Sequence, residues 1–216
     1  MKKFEQELAD VRRRVMEMGA LAEQMVAWSS DALVKRDRAI VAEVLAAEDK
    51  LDRFQIEIDS EAIRLITIYT PTAKDLRFLL MVVRINTELE RIGDQAVNNC
   101  EYVEMFLSDP PQRPLDDLSR MTEITCKMMH GALRAFEMED VQEAERVVAE
   151  DDAVDALNRQ TFRDLLTDRT DDPELVKRCM SLILLARSLE RIADHAVNIC
   201  EEVVYLVKGE DIRHQT

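Results

Sequence analysis

Apolar residues recur along this chain at alternating steps of four and three, the spacing that lines one face of a helix packed in a bundle. The first run is Phe4, Leu8, Val11, Val15, Met18, Ala22 and Met25, and it predicts a helix over 3–35. A second helix is predicted over 39–69. It stops before Pro71, whose nitrogen has no hydrogen to donate and whose ring clashes with a continuing helix. A third is predicted over 73–107, ahead of Ser-Asp-Pro-Pro-Gln-Arg-Pro, where three prolines mark a boundary. The same order then repeats, with helices predicted over 115–138, 141–166 and 174–208. In the last of these, Leu182, Ala186, Leu189, Ala193, Ala196, Cys200 and Val203 keep the four-three step unbroken. The predicted fold is all-α: six long helices in two tandem three-helix bundles, residues 1–108 and 115–216.

Composition agrees with that reading. Gly occurs four times, Pro five times and aromatics make up 5%, which leaves little material for hairpins.

The two halves also align with each other. At an offset of 100, Leu89, Glu90, Arg91, Ile92, Asp94, Ala96, Val97, Asn98, Cys100, Glu101 and Val103 recur unchanged. At an offset of 103, the stretch AAEDKLDRF from Ala46 lies over AEDDAVDAL from Ala149. A period this long indicates a duplicated domain, unlike the short periods of solenoids.

Charge narrows the function. A formal net charge of −15 opposes nucleic-acid and anionic-membrane binding, and favours cations or a basic patch on a protein partner. The N-terminal lysines are followed by no apolar run, and no segment is long and apolar enough to span a bilayer. The expectation is a soluble, cytoplasmic protein. Four cysteines without CxxC spacing suit a reducing compartment, and Cys100 and Cys200 fall on apolar stripes as small buried hydrophobes.

The acids repeat with the domain. Glu90 and Asp94 stand four apart on the third helix, as Glu190 and Asp194 do on the sixth. Glu48 and Asp52 on the second helix are matched by Asp151 and Asp155 on the fifth. Like charges at this spacing destabilise a helix by roughly 0.2–0.5 kcal/mol per pair. Either arginines such as Arg91 and Arg191 neutralise them, or a cation does. An all-oxygen donor set suits Mg, Ca, Mn or oxidised Fe better than Zn. A lone acidic pair means little in a chain of 44 acids, because solvated helix faces produce it constantly. Four copies at matching places carry more weight, with Asp49 and Asp152 as weaker neighbours.

Other residues suggest structural roles. Asn86, where the other half has Ala186, reads as a buried polar group that sets register. Asn98 and Asn198 could hold carboxylates or bridge helices. His195 replaces Gln95, so the repeat does not require imidazole there; it is expected to be exposed, or to support a ligand from behind. A ferritin-like di-metal enzyme would need Glu three residues before His, and His130, His195 and His214 all lack it. No Gly-rich phosphate loop is present. A helical scaffold with solvated acids remains an alternative.

The phrases LERIGDQAVNNCEYV and LERIADHAVNICEEVVYLVKGEDIRH, the acidic pairs and the duplicated layout resemble the PhoU family of bacterial phosphate-transport accessory proteins. The resemblance runs from about Phe4 to His214. It implies a non-enzymatic negative regulator of phosphate uptake and the phosphate-starvation response. Such a regulator links the ATPase of a phosphate ABC transporter to a sensor histidine kinase, and reaches the membrane only through those partners. It further implies a homodimer and multinuclear metal clusters, iron first and Mn or Mg next, held by Glu48, Asp52, Glu90 and Asp94 and by Asp151, Asp155, Glu190 and Asp194.

Overall fold

The computed structural model describes residues 2–107, 115–166 and 172–209. Among these, six α-helices form: α1 (Lys2–Lys35), α2 (Arg38–Tyr69), α3 (Ala73–Val103), α4 (Asp116–Met138), α5 (Val141–Leu166) and α6 (Pro173–Lys208). Each lies within a few residues of its predicted span. The exception in kind is the end of α3, where Glu104–Phe106 tightens into a 3-10 turn instead of continuing as α-helix to residue 107. A last turn of this kind pairs carbonyls that the helix end leaves without partners. The proline-rich boundary at 108–114 lies outside the described residues.

Local chemistry fixes the other ends. Asp37 caps α2, its side chain accepting from Ala39 N (2.8 Å). Thr70 takes a left-handed conformation (φ 43°) and returns its N–H to Ile66 O, so α2 ends just ahead of Pro71. Glu139 (φ 51°) closes α4, and Asp140 Oδ1 then accepts from Gln142 N (2.9 Å) and Glu143 N (3.1 Å) to start α5. Asp172 caps α6, Pro173 occupies its first turn and Gly209 (φ 72°) terminates it.

Within each half the three helices pack on one another. The halves also pack side by side, α3 along α6 and α1 against α4. The apolar stripes merge into one core running from Val11 to Leu206. Each half thus supplies the wall that the other three-helix unit lacks.

Several cross-half contacts hold this arrangement. Arg12 of α1 donates from Nη1 to Phe136 O (2.8 Å) and Glu137 O (3.2 Å) at the end of α4, and from Nη2 to Glu139 Oε1 (2.6 Å). Its guanidinium also lies over the rings of Phe78 and Phe136. On the α3–α6 seam, His195 Nδ1 meets Glu88 Oε2 (2.7 Å), while Ser188 Oγ donates to Gln95 Oε1 (3.2 Å). These two contacts are mates under the duplication, since 88 matches 188 and 95 matches 195.

Candidate metal centres

The duplication places equivalent acids on facing helices. Glu48 and Asp52 of α2 lie beside Glu90 and Asp94 of α3, and Asp151 and Asp155 of α5 beside Glu190 and Asp194 of α6. Close approach of the backbones helps. A Cβ on Gly93 would meet the tip of the Leu51 side chain, so with leucine at 51 the glycine at 93 lets the two pack without either shifting. The second half makes the same fit with the sizes exchanged: Val154 stands for Leu51 and Ala193 for Gly93.

The electrostatics show that each quartet interacts internally. Burial raises the Glu48 carboxyl above the usual range, and the charges on Asp52, Asp94 and Asp49 add to it. Glu90 is raised by burial, then by Asp94 and Asp52, and Asp94 by burial and Asp52. The second quartet is the more strained. Asp151 is pushed up to about 6 by burial, then by Asp194, Asp155, Glu190 and Asp152. Burial and like charge raise Glu190 and Asp194 as well. Asp49 and Asp152 sit at the margins and add to the repulsion.

Arginine offsets these acids only in part: the charge of Arg91 lowers Glu90, and those of Arg187 and Arg191 lower Glu190 and Asp194, yet burial and like charge still leave all three raised. Among the described residues Arg91 pairs with Glu88 (3.3 Å), and the one quartet member in an ion pair is Asp155, with Arg159 (2.9 Å). One oxygen is left in a costly state: Asp151 Oδ1 is buried and has no hydrogen-bond partner. A hard cation would fit here, because it would satisfy that oxygen and screen four carboxylates at once. The side chains are not a ready-made cage, however. Among the described residues no three or more His, Cys, Asp or Glu converge as a metal site.

His195 is buried, not exposed. Its Nδ1 meets Glu88 at 2.7 Å and Asn198 Nδ2 donates to the same oxygen at 3.0 Å, so both residues hold a carboxylate on the neighbouring half. An ionised carboxylate only accepts, which puts the proton on Nδ1. Burial alone would raise Glu88, but bonds from His195 and Asn198, with the charges of His195 and Arg91, hold it below the usual carboxylate range. Sequence reading overlooked Glu88 because its counterpart is Ser188. The signal was present in paired form: Glu–His in one register and Ser–Gln in the other. Asn86 fills its expected role, donating from Nδ2 to Gln55 O (2.9 Å) and Asp59 Oδ1 (2.8 Å) across α2 and α3. The thiols of Cys100 and Cys200 are buried and raised to about 11 and about 12, which keeps them protonated and unreactive.

A family model described as PhoU domain matches residues 15–103 and again 118–203, one copy per half. The chain belongs to the PhoU family. It is 36% identical over 215 residues to the phosphate-specific transport system accessory protein PhoU homolog of Aquifex aeolicus, covering 100% of this chain and 97% of that relative. It is 34% identical to the phosphate-specific transport system accessory protein PhoU of Escherichia coli K12, over 98% of this chain and 88% of that one. The crystal structure of PhoU from Pseudomonas aeruginosa superposes with a TM-score of 0.91 at 33% identity, covering 96% of this chain and 100% of the other. The phosphate transport system regulatory protein PhoU from Streptococcus pneumoniae, at 23% identity and a TM-score of 0.89, shares the fold. Among the described residues, no PhoU helix here is long and apolar enough to cross a membrane.

Proposed function

We propose that this chain is a cytoplasmic, non-enzymatic regulator of phosphate transport that keeps phosphate uptake and the starvation response low when phosphate is plentiful. The observation that carries this reading is kinship along the whole chain. Relatives named as phosphate-specific transport system accessory proteins align over 98–100% of it, with both repeats matched. In this reading a homodimer touches both the ATPase of a phosphate ABC transporter and a sensor histidine kinase, holding the kinase in its phosphatase-favouring state. Such switching requires one partner state to be bound better than the other.

The two carboxylate quartets are the proposed metal centres. Glu48, Asp52, Glu90 and Asp94 would hold one set of cations, and Asp151, Asp155, Glu190 and Asp194 the other. Carboxyls that stay raised despite nearby arginine charge, and the buried, unpartnered Asp151 Oδ1, support this assignment. A bound multinuclear cluster, iron or another oxygen-preferring ion, would supply positive charge to an acidic face that a partner can then recognise.

Deletion of the gene in its host, followed with a secreted-phosphatase reporter in phosphate-rich medium, tests the regulatory reading. Derepression that the wild-type gene silences again is the expected result, and a reporter that stays off contradicts it. Metal content of protein purified without chelators tests the centres separately. Asp94→Ala with Asp194→Ala should lower it, and unchanged metal in the double variant removes these residues from the ligand set.

A further inference from the structure

The duplication provides an internal control for every surface feature, because each position in one half shows what the fold requires at the matching position in the other. One cavity fails that comparison. Between α5 and α6 lies an opening of about 340 Å³ walled by Phe162 and Ile183, with Arg159, Arg163 and Arg187 around it. The matching residues of the first half are Asp59, Val83, Ile56, Ser60 and Thr87. None of the three arginines is repeated, so the helical packing does not need them.

The two halves also differ in the seam beside this cavity. In the first half, Asn86 fills the α2–α3 seam and donates to Asp59 Oδ1 (2.8 Å). In the second half the same two positions hold Ala186 and Phe162. The polar bridge is gone, and Phe162 stands with 47% of its surface exposed. Leu166, Met180 and Leu184 carry the apolar surface onward along the same two helices.

Charge at the rim is positive on a chain whose formal net charge is −15. Arg159 donates one bond to Asp155 and Arg163 one to Gln160, which leaves most of the five donors on each guanidinium available. The charge of Arg187 also reaches Glu190 and Asp194 on its own helix, without a hydrogen bond to either among the described residues. Guanidinium forks match carboxylates in a bidentate manner, while an aromatic floor requires an apolar guest. A small inorganic anion would satisfy the rim and waste the floor.

We propose that this α5–α6 groove docks an acidic segment of a partner protein, with an apolar side chain seated on Phe162 and Ile183 and flanking carboxylates on Arg159, Arg163 and Arg187. Phe162 and the three arginines have no counterpart in the first half, so the two repeats have diverged to present different surfaces.

The test uses the full chain and a short fluorescein-labelled peptide in which glutamates flank a Phe-Leu pair, read by anisotropy. A companion peptide replaces the Phe-Leu pair with serines. Two variants borrow residues that the first half already carries: Arg163→Ser, and Phe162→Asp together with Ala186→Asn, which installs the Asp59–Asn86 pair and removes the aromatic wall of the groove. Saturable binding of the first peptide is expected, weaker by about fivefold or more in Arg163→Ser, and lost in the double variant while helicity and Tm hold. The serine peptide should bind about tenfold more weakly or worse. Should the double variant unfold, Arg163→Ser decides alone. Equal binding of both peptides, unchanged binding by Arg163→Ser, or no saturation overturns the proposal. So does displacement of the peptide by millimolar inorganic phosphate, or self-association of the chain that the variants abolish, since these give the groove to an anion or to a second copy.

Discussion

Asp151 concentrates the electrostatic strain of the acidic face. Its carboxyl is pushed up to about 6 from an ordinary 3.8, because burial and four neighbouring acids oppose its ionisation. A raised acid costs folding stability while it is ionised, and the cost is relieved as pH falls through the folded value toward the unfolded one. Glu48, Glu90, Asp94, Glu190 and Asp194 are shifted in the same direction. Chelator-treated protein should therefore gain Tm as pH falls from about 7 to about 5, and Asp151→Asn should flatten that gain. Glu88 has the opposite shift, so the stabilisation it gives is lost only as pH falls below the ordinary carboxylate range. A Tm that stays level or drops across the upper window in thermal melts would contradict the role given to Asp151. Added divalent cation should raise Tm near pH 7 and erase most of the pH effect.

At the scale of elements, short links decide where six long helices begin. Asp140 shows how little chain this takes: α4 ends at Met138, α5 begins at Val141, and the Asp140 carboxylate accepts from the first free N–H groups of α5. Replacing it with Ala should cost about 1 kcal/mol, while Asn should cost far less, both read from urea midpoints at constant m-value. The aspartate caps were not singled out in the sequence, whereas the end of α2 was legible in advance because proline acts within a few residues of itself. The switch to 3-10 geometry at Glu104 was not, since it depends on how the final carbonyls of α3 find partners. The Gly93–Leu51 and Ala193–Val154 exchange likewise becomes meaningful only when the helices are seen to touch.

For the whole molecule, the question is what keeps two similar halves in one relative position. Arg12 ties α1 to the carbonyl end of α4 with three hydrogen bonds and covers two aromatic rings, which stack on each other 6.2 Å apart. Arg12→Ala should destabilise the chain by about 2 kcal/mol and speed hydrogen exchange at the α4 C-terminus. Arg12→Lys should recover little, because an ammonium cannot fork to carbonyl and carboxylate together or lie flat on the rings. Native-state exchange measured by mass spectrometry separates this loosening of the junction from a uniform loss of stability. Full recovery by lysine would show that charge alone is needed there.

The four-three apolar step, proline at the α2–α3 turn and the two offsets were enough to determine an all-α, six-helix, duplicated chain. They also selected the acids of each quartet, because helical period and repeat are properties of neighbours along the sequence. Contacts between residues distant in sequence left no such trace. Glu88 meets His195 and Asn198, and Arg12 meets Phe136 and Glu139, only after the halves have docked. His195 looked dispensable because its repeat partner is Gln95, yet the compensating change from Glu88 to Ser188 lies on the opposite helix. The Phe162 groove in the same way draws its lining from two helices, with Phe162 and two arginines on α5 and Ile183 and Arg187 on α6. Periodicity reports which face of a helix is buried; only tertiary packing decides what that face meets, because a one-dimensional pattern carries no distance between helices.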